Sequence, residues 1–324
     1  MSVVAGCSLF DGVLLAADCR ATISSPNHPD IHSDNVLKVI AILPHTAIGF
    51  AGDIRAASYL LQSLLTKLKS QEHKDPINLS NWLPILFRDE FKKYISRYGD
   101  CTANFMVGSV LKDRPNRVKR KEIFELVRVI AFEKKRPWLP SLLYNLLNAS
   151  REENELLDIP GTYGNILYTL RSPDFTVQHI PLLQFEAIGK GRTCKKEIQE
   201  YYDEIFAWQP GNVGFESWKL RRCIRLFIED NKIQSVGGLY PVLKVTNKGI
   251  IHMGMSTEIP LGGTKIELIF DPNSYTWKQK NITSGKEIPL LMPWDFSKNA
   301  KPGMKNNTFN DLNDAYQDFR EKDE

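Results

Sequence analysis

The sequence predicts an α+β protein in which helix pairs cover two stacked antiparallel sheets. Three observations lead there. Short apolar runs joined by tight turns fill the N-terminal fifty residues, with Asp11-Gly12 between apolar segments as a strong hairpin signal. Next comes a segment from Asp53 to Ser70 with Ile54, Ala57, Leu60, Leu61, Leu64, Leu65 and Leu68 at helical spacing. Finally, the order of the whole chain is strands, paired helices, strands, paired helices, strands.

The elements follow in order. Val3 and Val4 begin a first strand, and Val13 to Thr22 returns from the Asp11-Gly12 turn. After a loop extension, Ser24 to Ser33, that holds Pro26 and Pro29 come two further apolar runs, Val36-Leu37-Lys38-Val39-Ile40 and Ile48-Gly49-Phe50-Ala51-Gly52-Asp53. Asp53 stands near the start of the first helix, and Asn81 to Arg97 reads as a second amphipathic helix. Ala103 to Leu111, Glu122 to Ala131 and Asn165 to Leu170 read as strands, and Phe175 to Ile188 is strand-rich. Thr193 to Phe206 and Phe215 to Glu229 form the second helix pair. A hairpin, Val242 to Val245 and Gly249 to Met253, closes the pattern around Asn247-Lys248-Gly249.

Composition narrows the class. At 324 residues and 42% hydrophobic content the chain suits one large domain with additions. The expected division is a main domain over 1–266, with an insert at about 112–162, and a C-terminal extension over 267–324. The insert carries a basic run (Lys112, Arg114, Arg117, Lys119, Arg120, Lys121), read as a solvated loop, and an apolar helix-like patch from Pro140 to Leu147. The extension, rich in Asn, Lys, Asp and Gly from Asp295, reads as extended or partly disordered. A net charge of +4 against 80 charged residues gives no argument for nucleic acid. Five cysteines without metal spacing read as reduced thiols. With neither a basic n-region nor an apolar run long enough for a signal or a membrane span, the expected location is the cytoplasm. His28 and His32 flank Pro29 without a nearby third ligand and read as solvated, so neither metal nor cofactor is expected.

One residue carries distinct chemistry. Ser2 lies directly behind the initiator Met. Exposed as a new N-terminus, it would carry a nucleophile and a base together, because its α-amine can take the proton of its own hydroxyl. An α-amine titrates at roughly 7.7–8.0, so a neutral fraction exists near pH 7, and the threonine version of this pairing is an established activated nucleophile.

The run Gly12-Val13-Leu14-Leu15-Ala16-Ala17-Asp18-Cys19-Arg20-Ala21-Thr22 behind that N-terminus resembles the β-type subunits of the proteasome and their bacterial relatives HslV and Anbu, within the N-terminal nucleophile (Ntn) hydrolases. The resemblance implies a four-layer αββα sandwich and a peptidase. It makes Ser2 the nucleophile and Lys38 the buried lysine beside it, held by Asp18. Gly52, fourteen residues after Lys38 in Ile48-Gly49-Phe50-Ala51-Gly52-Asp53, becomes the oxyanion donor. It further implies Arg20 as a flanking charge, Thr22 as a partner for substrate backbone, and Ala21, Val36, Phe50 and Ile54 as walls of an apolar side-chain pocket. Phe185-Glu186-Ala187-Ile188-Gly189-Lys190-Gly191 resembles the family's Gly-Ser-Gly turn with Lys190 in place of the serine. Ser235-Val236-Gly237-Gly238 resembles the Anbu version of a late turn, which makes Lys190 and Ser235 supporting residues. The family's late Asp has no clean match.

The resemblance implies a peptide or protein substrate and a homo-oligomer, a ring or a spiral, and leaves any ATPase partner open. Two other readings stay open at this point: a catalytically silent assembly or scaffold protein of the same shape, and a small-molecule amidase.

Overall fold

The computed structural model describes residues 2–9, 11–25, 28–33, 36–68, 76–111, 114–123, 138–149, 152–159, 163–182, 184–194, 236–238, 240–253, 256–261, 264–271, 276–282 and 284–290. Two five-stranded sheets form its centre. The first joins β1 (Val3–Leu9), β2 (Gly12–Ala17), β12 (Phe185–Gly189), β13 (Val242–Thr246) and β14 (Gly249–Met253) in the order β12-β1-β2-β13-β14. The second joins β5 (Val39–Leu43), β6 (Thr46–Gly52), β7 (Ala103–Leu111), β10 (Gly164–Arg171) and β11 (Gln178–His179) in the order β11-β10-β7-β6-β5. Every pairing in both is antiparallel. The expected α+β class with antiparallel sheets is what the chain adopts.

The two sheets stack face to face, and glycines set how closely. A Cβ on Gly6 of β1 would come within 2.7 Å of Met106 Sδ, one on Gly108 of β7 within 2.7 Å of Val13 Cγ1, and one on Gly49 of β6 within 2.6 Å of Val4 Cγ1. Val4, Val13, Leu15, Leu243 and Val245 from the first sheet share one core with Ile48, Met106 and Val110 from the second. β1 and β2 are buried at every position, so the other face of the first sheet is covered too.

Helices α1 (Ile54–Leu68) and α2 (Pro76–Tyr98) lie on the outer face of the second sheet. Asp53 caps α1, its Oδ1 accepting the N–H groups of Arg55 and Ala56 at 2.9 Å each. α1 buries Ala57, Leu60, Leu61, Leu64 and Leu68, the stripe read from the sequence. α2 is anchored by aromatic rings: Phe87 packs on Phe105 of β7, and Phe91 on Phe175. The expected second helix pair, 193–206 and 215–229, lies outside the described residues apart from a short 3-10 turn at Lys190–Cys194.

Three local expectations differ from the structure. The Ser24–Ser33 extension is no loop: β3 (Ala21–Ser25) and β4 (His28–Ser33) pair as a ribbon. Pro29 is tolerated because a two-stranded ribbon leaves each strand an edge, where its missing N–H costs no ladder bond. The strand read at Glu122–Ala131 begins instead inside a helical turn at 120–123, and its remainder lies outside the described residues. The Phe175–Ile188 stretch holds only two residues of β11 and then β12, after a turn in which Phe175 takes φ 50°.

The insert is a small unit with its own core. β8 (Asn116–Lys119) and β9 (Leu156–Ile159) pair, and α3 (Trp138–Ala149) packs on them through Leu143 and Leu147 against Val118, Ile123 and Ile159. The apolar patch read at Pro140–Leu147 is this helix. Asn165 joins insert and sandwich: its N–H donates to Asn116 Oδ1 at 2.8 Å, and its Nδ2 donates to the carbonyls of Leu9 and Gly12. Lys244, buried in β13, pairs with Asp11 at 2.9 Å at the same end. A separate four-stranded sheet, β15 (Ser256–Leu261), β16 (Thr264–Asp271), β17 (Thr276–Asn281) and β18 (Glu287–Pro289), follows β14, with β16 running through position 266. No helix among the described residues is long and apolar enough to cross a membrane.

Burial holds the imidazole of His252 on β14 down to about 4, and lowers that of His179. Above about pH 6.5 both folded and unfolded chains hold neutral rings. As pH falls toward 4 the unfolded chain takes up protons that the folded one refuses, so stability is lost across that window. Melting temperature followed from pH 7 to pH 4 is expected to fall less steeply in His252→Gln than in the wild type; parallel curves would remove His252 from the account.

Candidate active site

The open end of the β1–β2 hairpin is where Ser2 and Asp18 meet, because β1 begins where β2 ends. Asp18 follows the last residue of β2 and is fully buried. Its Oδ1 accepts the Val3 N–H at 2.8 Å, and its Oδ2 accepts Lys38 Nζ at 2.9 Å and the Arg20 N–H at 3.1 Å. The Gly237 N–H reaches the same oxygen at 3.5 Å. Lys38, 2% exposed, also donates to the Arg20 carbonyl. Burial pushes the Asp18 carboxyl above the usual carboxylate range, while the Lys38 charge and hydrogen bond and the Val3 and Gly237 N–H groups act the other way. Two charges of opposite sign, buried in contact and hydrogen-bonded, satisfy each other.

Ser2 itself is buried, at 6% exposure, and its peptide is held on both sides. The Ser2 carbonyl accepts the Lys190 N–H at 2.9 Å, and the N–H of the same Ser2–Val3 peptide goes to Asp18. β12 makes this possible: Gly189 stands opposite Val3 with φ 71°, and a Cβ there would sit 2.0 Å from the Ser2 oxygen. Only glycine allows that approach. The same Cβ would be 2.9 Å from the Ala51 Cβ, which brings the end of β6 against the Ser2 carbonyl. Gly52 follows, with φ 113° and the Thr102 carbonyl filling the space of a side chain.

Lys38 immediately precedes β5, and its own carbonyl accepts the Phe50 N–H at 2.9 Å, fixing it to β6. Arg20 lies over Gly237, where a Cβ would meet its Cζ at 2.7 Å. The Gly237 carbonyl accepts the N–H groups of Cys19 and Arg20 at 3.2 and 3.1 Å. Ala21, Val36 and Ile54 form one small apolar cluster beside this ring. Phe50 is buried in the main core. Thr22 pairs with His32 in the β3–β4 ribbon. Lys190 reaches Ser2 through its backbone, and Ser235 lies outside the described residues.

Backbone groups complete what the sequence marked by side chains. The site draws on Gly189, Lys190 N–H and Gly237, of which only the side-chain bearer Lys190 was singled out. Signals for the other two existed in Gly-Lys-Gly and in Val-Gly-Gly, but a main-chain N–H has no residue signature. Among the described residues no group of three or more His, Cys, Asp or Glu is placed to hold a metal ion.

A family model for the proteasome subunit matches residues 2–118. That stretch starts at Ser2, holds Asp18, Lys38 and Gly52, and ends in β8; Gly189, Lys190 and Gly237 lie beyond it. No curated protein matches the chain.

Replacing Lys38 by Ala leaves Asp18 buried without its cation, so a destabilisation of about 3–5 kcal/mol is expected. Urea unfolding of Lys38→Ala and of Asp18→Ala/Lys38→Ala measures it. The double variant should recover part of the loss, and strictly additive losses would show the pair to be uncoupled.

Proposed function

We propose that the chain is an Ntn peptidase whose nucleophile is Ser2 after removal of Met1. The observation that carries this reading is the Asp18–Lys38 pair bound to the Ser2–Val3 peptide. A buried cation at that place favours the neutral form of a nearby amine and the deprotonated form of a nearby hydroxyl. The proteasome-subunit match over residues 2–118 supports the same reading.

The reaction runs in two halves. Ser2 Oγ attacks the carbonyl carbon of a peptide bond, its proton passing to the α-amine directly or through a water. The tetrahedral oxyanion takes the Gly52 N–H, a type of contact worth about 3–4 kcal/mol where one donor has been removed elsewhere. Collapse breaks the C–N bond, the protonated α-amine gives its proton to the leaving amine, and an ester on Ser2 remains. Water, deprotonated by the α-amine, hydrolyses that ester and restores the enzyme. Ala21, Val36 and Ile54 hold an apolar side chain of the substrate, with Phe50 as floor.

The reading extends to architecture. Burial of both faces of the first sheet supports a four-layer αββα sandwich. The chain acts in the cytoplasm as a homo-oligomer, a single ring or an open spiral, because the 112–162 insert and the C-terminal extension stand in the way of a second stacked ring. Head-to-tail contacts of this kind close only when the rotation per subunit permits.

A β-lactone or epoxyketone probe that needs a free N-terminal nucleophile is expected to label the wild type at Ser2 and to leave Ser2→Ala unlabelled, read by peptide mass. Equal labelling of both would rule out the assignment, and a mature chain that retains Met1 would favour the silent assembly protein.

Sedimentation velocity at micromolar concentration is expected to show species several times the 37.0 kDa of one chain. A single species of that mass would contradict the ring or spiral.

A further inference from the structure

On the β12 side of Ser2, away from the apolar cluster, polar groups are buried between the sheets with hydrogen-bonding capacity unused. Thr169 and Arg171 on β10 stand level with Met106 and Asn104 of β7, on the face turned to the first sheet. Met106 lies over Gly6, and Gly6 stands opposite Glu186 of β12. The side chains of Thr169, Arg171 and Glu186 therefore meet between the two sheets. Thr169 is fully buried and its Oγ1 has no hydrogen-bond partner. Arg171 Nε is also buried without one, and its Nη2 approaches Glu186 Oε1 at 3.8 Å, beyond hydrogen-bond distance. A buried donor left unsatisfied forfeits its hydrogen bonds to water with nothing in return, so such groups ask for an occupant.

A second cation closes the cluster. Arg192 is exposed in the 3-10 turn at Lys190–Cys194, which continues β12 beyond Glu186 and packs against β1. Burial first, and then the Arg192 charge, holds the Arg171 guanidinium below its ordinary range. Two arginines against one glutamate leave one net positive charge among these three groups. That balance suits a monoanion, and the planar guanidinium fork matches a carboxylate.

The place is next to the proposed nucleophile. Arg171 is level with Asn104 and Ala51 across the second sheet, and Ala51 touches the position of Gly189 against the Ser2 carbonyl. Two strand spacings separate Arg171 from Ala51, roughly 10 Å, a span that an acidic side chain one or two residues from the scissile bond covers. We propose that Thr169, Arg171 and Arg192 form a carboxylate-binding subsite, and that the substrate is a peptide with an apolar residue on one side of the cleaved bond and Asp or Glu on the other. This names the substrate class for the site and rests on the peptidase reading above.

Two measurements test it separately from that reading. Fluorescein-labelled peptides that differ only in Glu or Gln beyond an apolar residue are titrated into the Ser2→Ala protein, which binds without turnover. Anisotropy is expected to show the Glu peptide bound about tenfold more tightly, the worth of one charge-assisted contact. In Ser2→Ala/Arg192→Gln, and in Ser2→Ala/Arg171→Gln where it folds, the ratio should collapse toward one. Arg192 is at the surface, so its variant keeps the test alive if Arg171→Gln does not fold. The matching quenched peptides, offered to the wild type, are expected to show the same preference in kcat/KM. Equal affinity for the two peptides, or a preference that survives Arg192→Gln, overturns the subsite. A Glu preference in Ser2→Ala with no hydrolysis by the wild type keeps the subsite and removes the peptidase.

Discussion

The architecture around the site depends on one buried carboxylate. Asp18 follows β2, and its two oxygens collect donors from four places in the chain: Val3 at the start of β1, Arg20 two residues on, Lys38 before β5, and Gly237 some two hundred residues later. An ionised carboxylate has about four lone-pair sites; here Oδ1 takes one of these donors and Oδ2 the other three. Taking it out of water costs several kcal/mol, recovered only when cation and N–H groups are all in place. The group is thus a checkpoint for assembly: strands from both sheets and the 236–238 turn must arrive together before its burial becomes tolerable.

The same constraint gives the site its rigidity. The Ser2–Val3 peptide cannot rotate without breaking a bond to Asp18 on one side or to Lys190 N–H on the other. Gly189 makes the second bond possible by leaving room for the Ser2 oxygen, and Ala51 closes the space behind it. The start of β1 is thereby fixed from both sides. Ala21, Val36 and Ile54 form the apolar cluster of this region, while the half-buried Arg171 and the exposed Arg192 belong to its β10 and β12 side.

Much of this was legible in the sequence, and the physical reason is distance along the chain. The Asp11-Gly12 hairpin, the α1 stripe and the strand 103–111 are governed by nearest neighbours and periodicity, so the residues announce them. The Asp18–Lys38 pair was legible because a lysine inside Val36-Leu37-Lys38-Val39-Ile40 needs a buried acid. Gly189 and Gly237 were not read as site residues, since their part is played by room and by main-chain groups. The helical turn at 120–123 defeated a local reading for another reason. Arg120 and Lys121 donate their N–H groups to the carbonyls of Glu155 and Glu153, a tertiary contact within the insert that sequence periodicity does not encode. The β3–β4 ribbon hid likewise, because Pro26 and Pro29 in the sequence read as loop.

Asn165 ties the sandwich to the 112–162 insert, and it sits at the end of the strands opposite to Ser2. β1 alone separates the two ends by seven residues, roughly 23 Å of strand. The insert has its own apolar centre, and the four donors on Asp18 all come from outside it. Its surface is therefore free to be lengthened, exchanged or fused to a reporter with the Asp18 network left undisturbed. The sandwich carries, at the strand ends away from Ser2, a natural port for attachment.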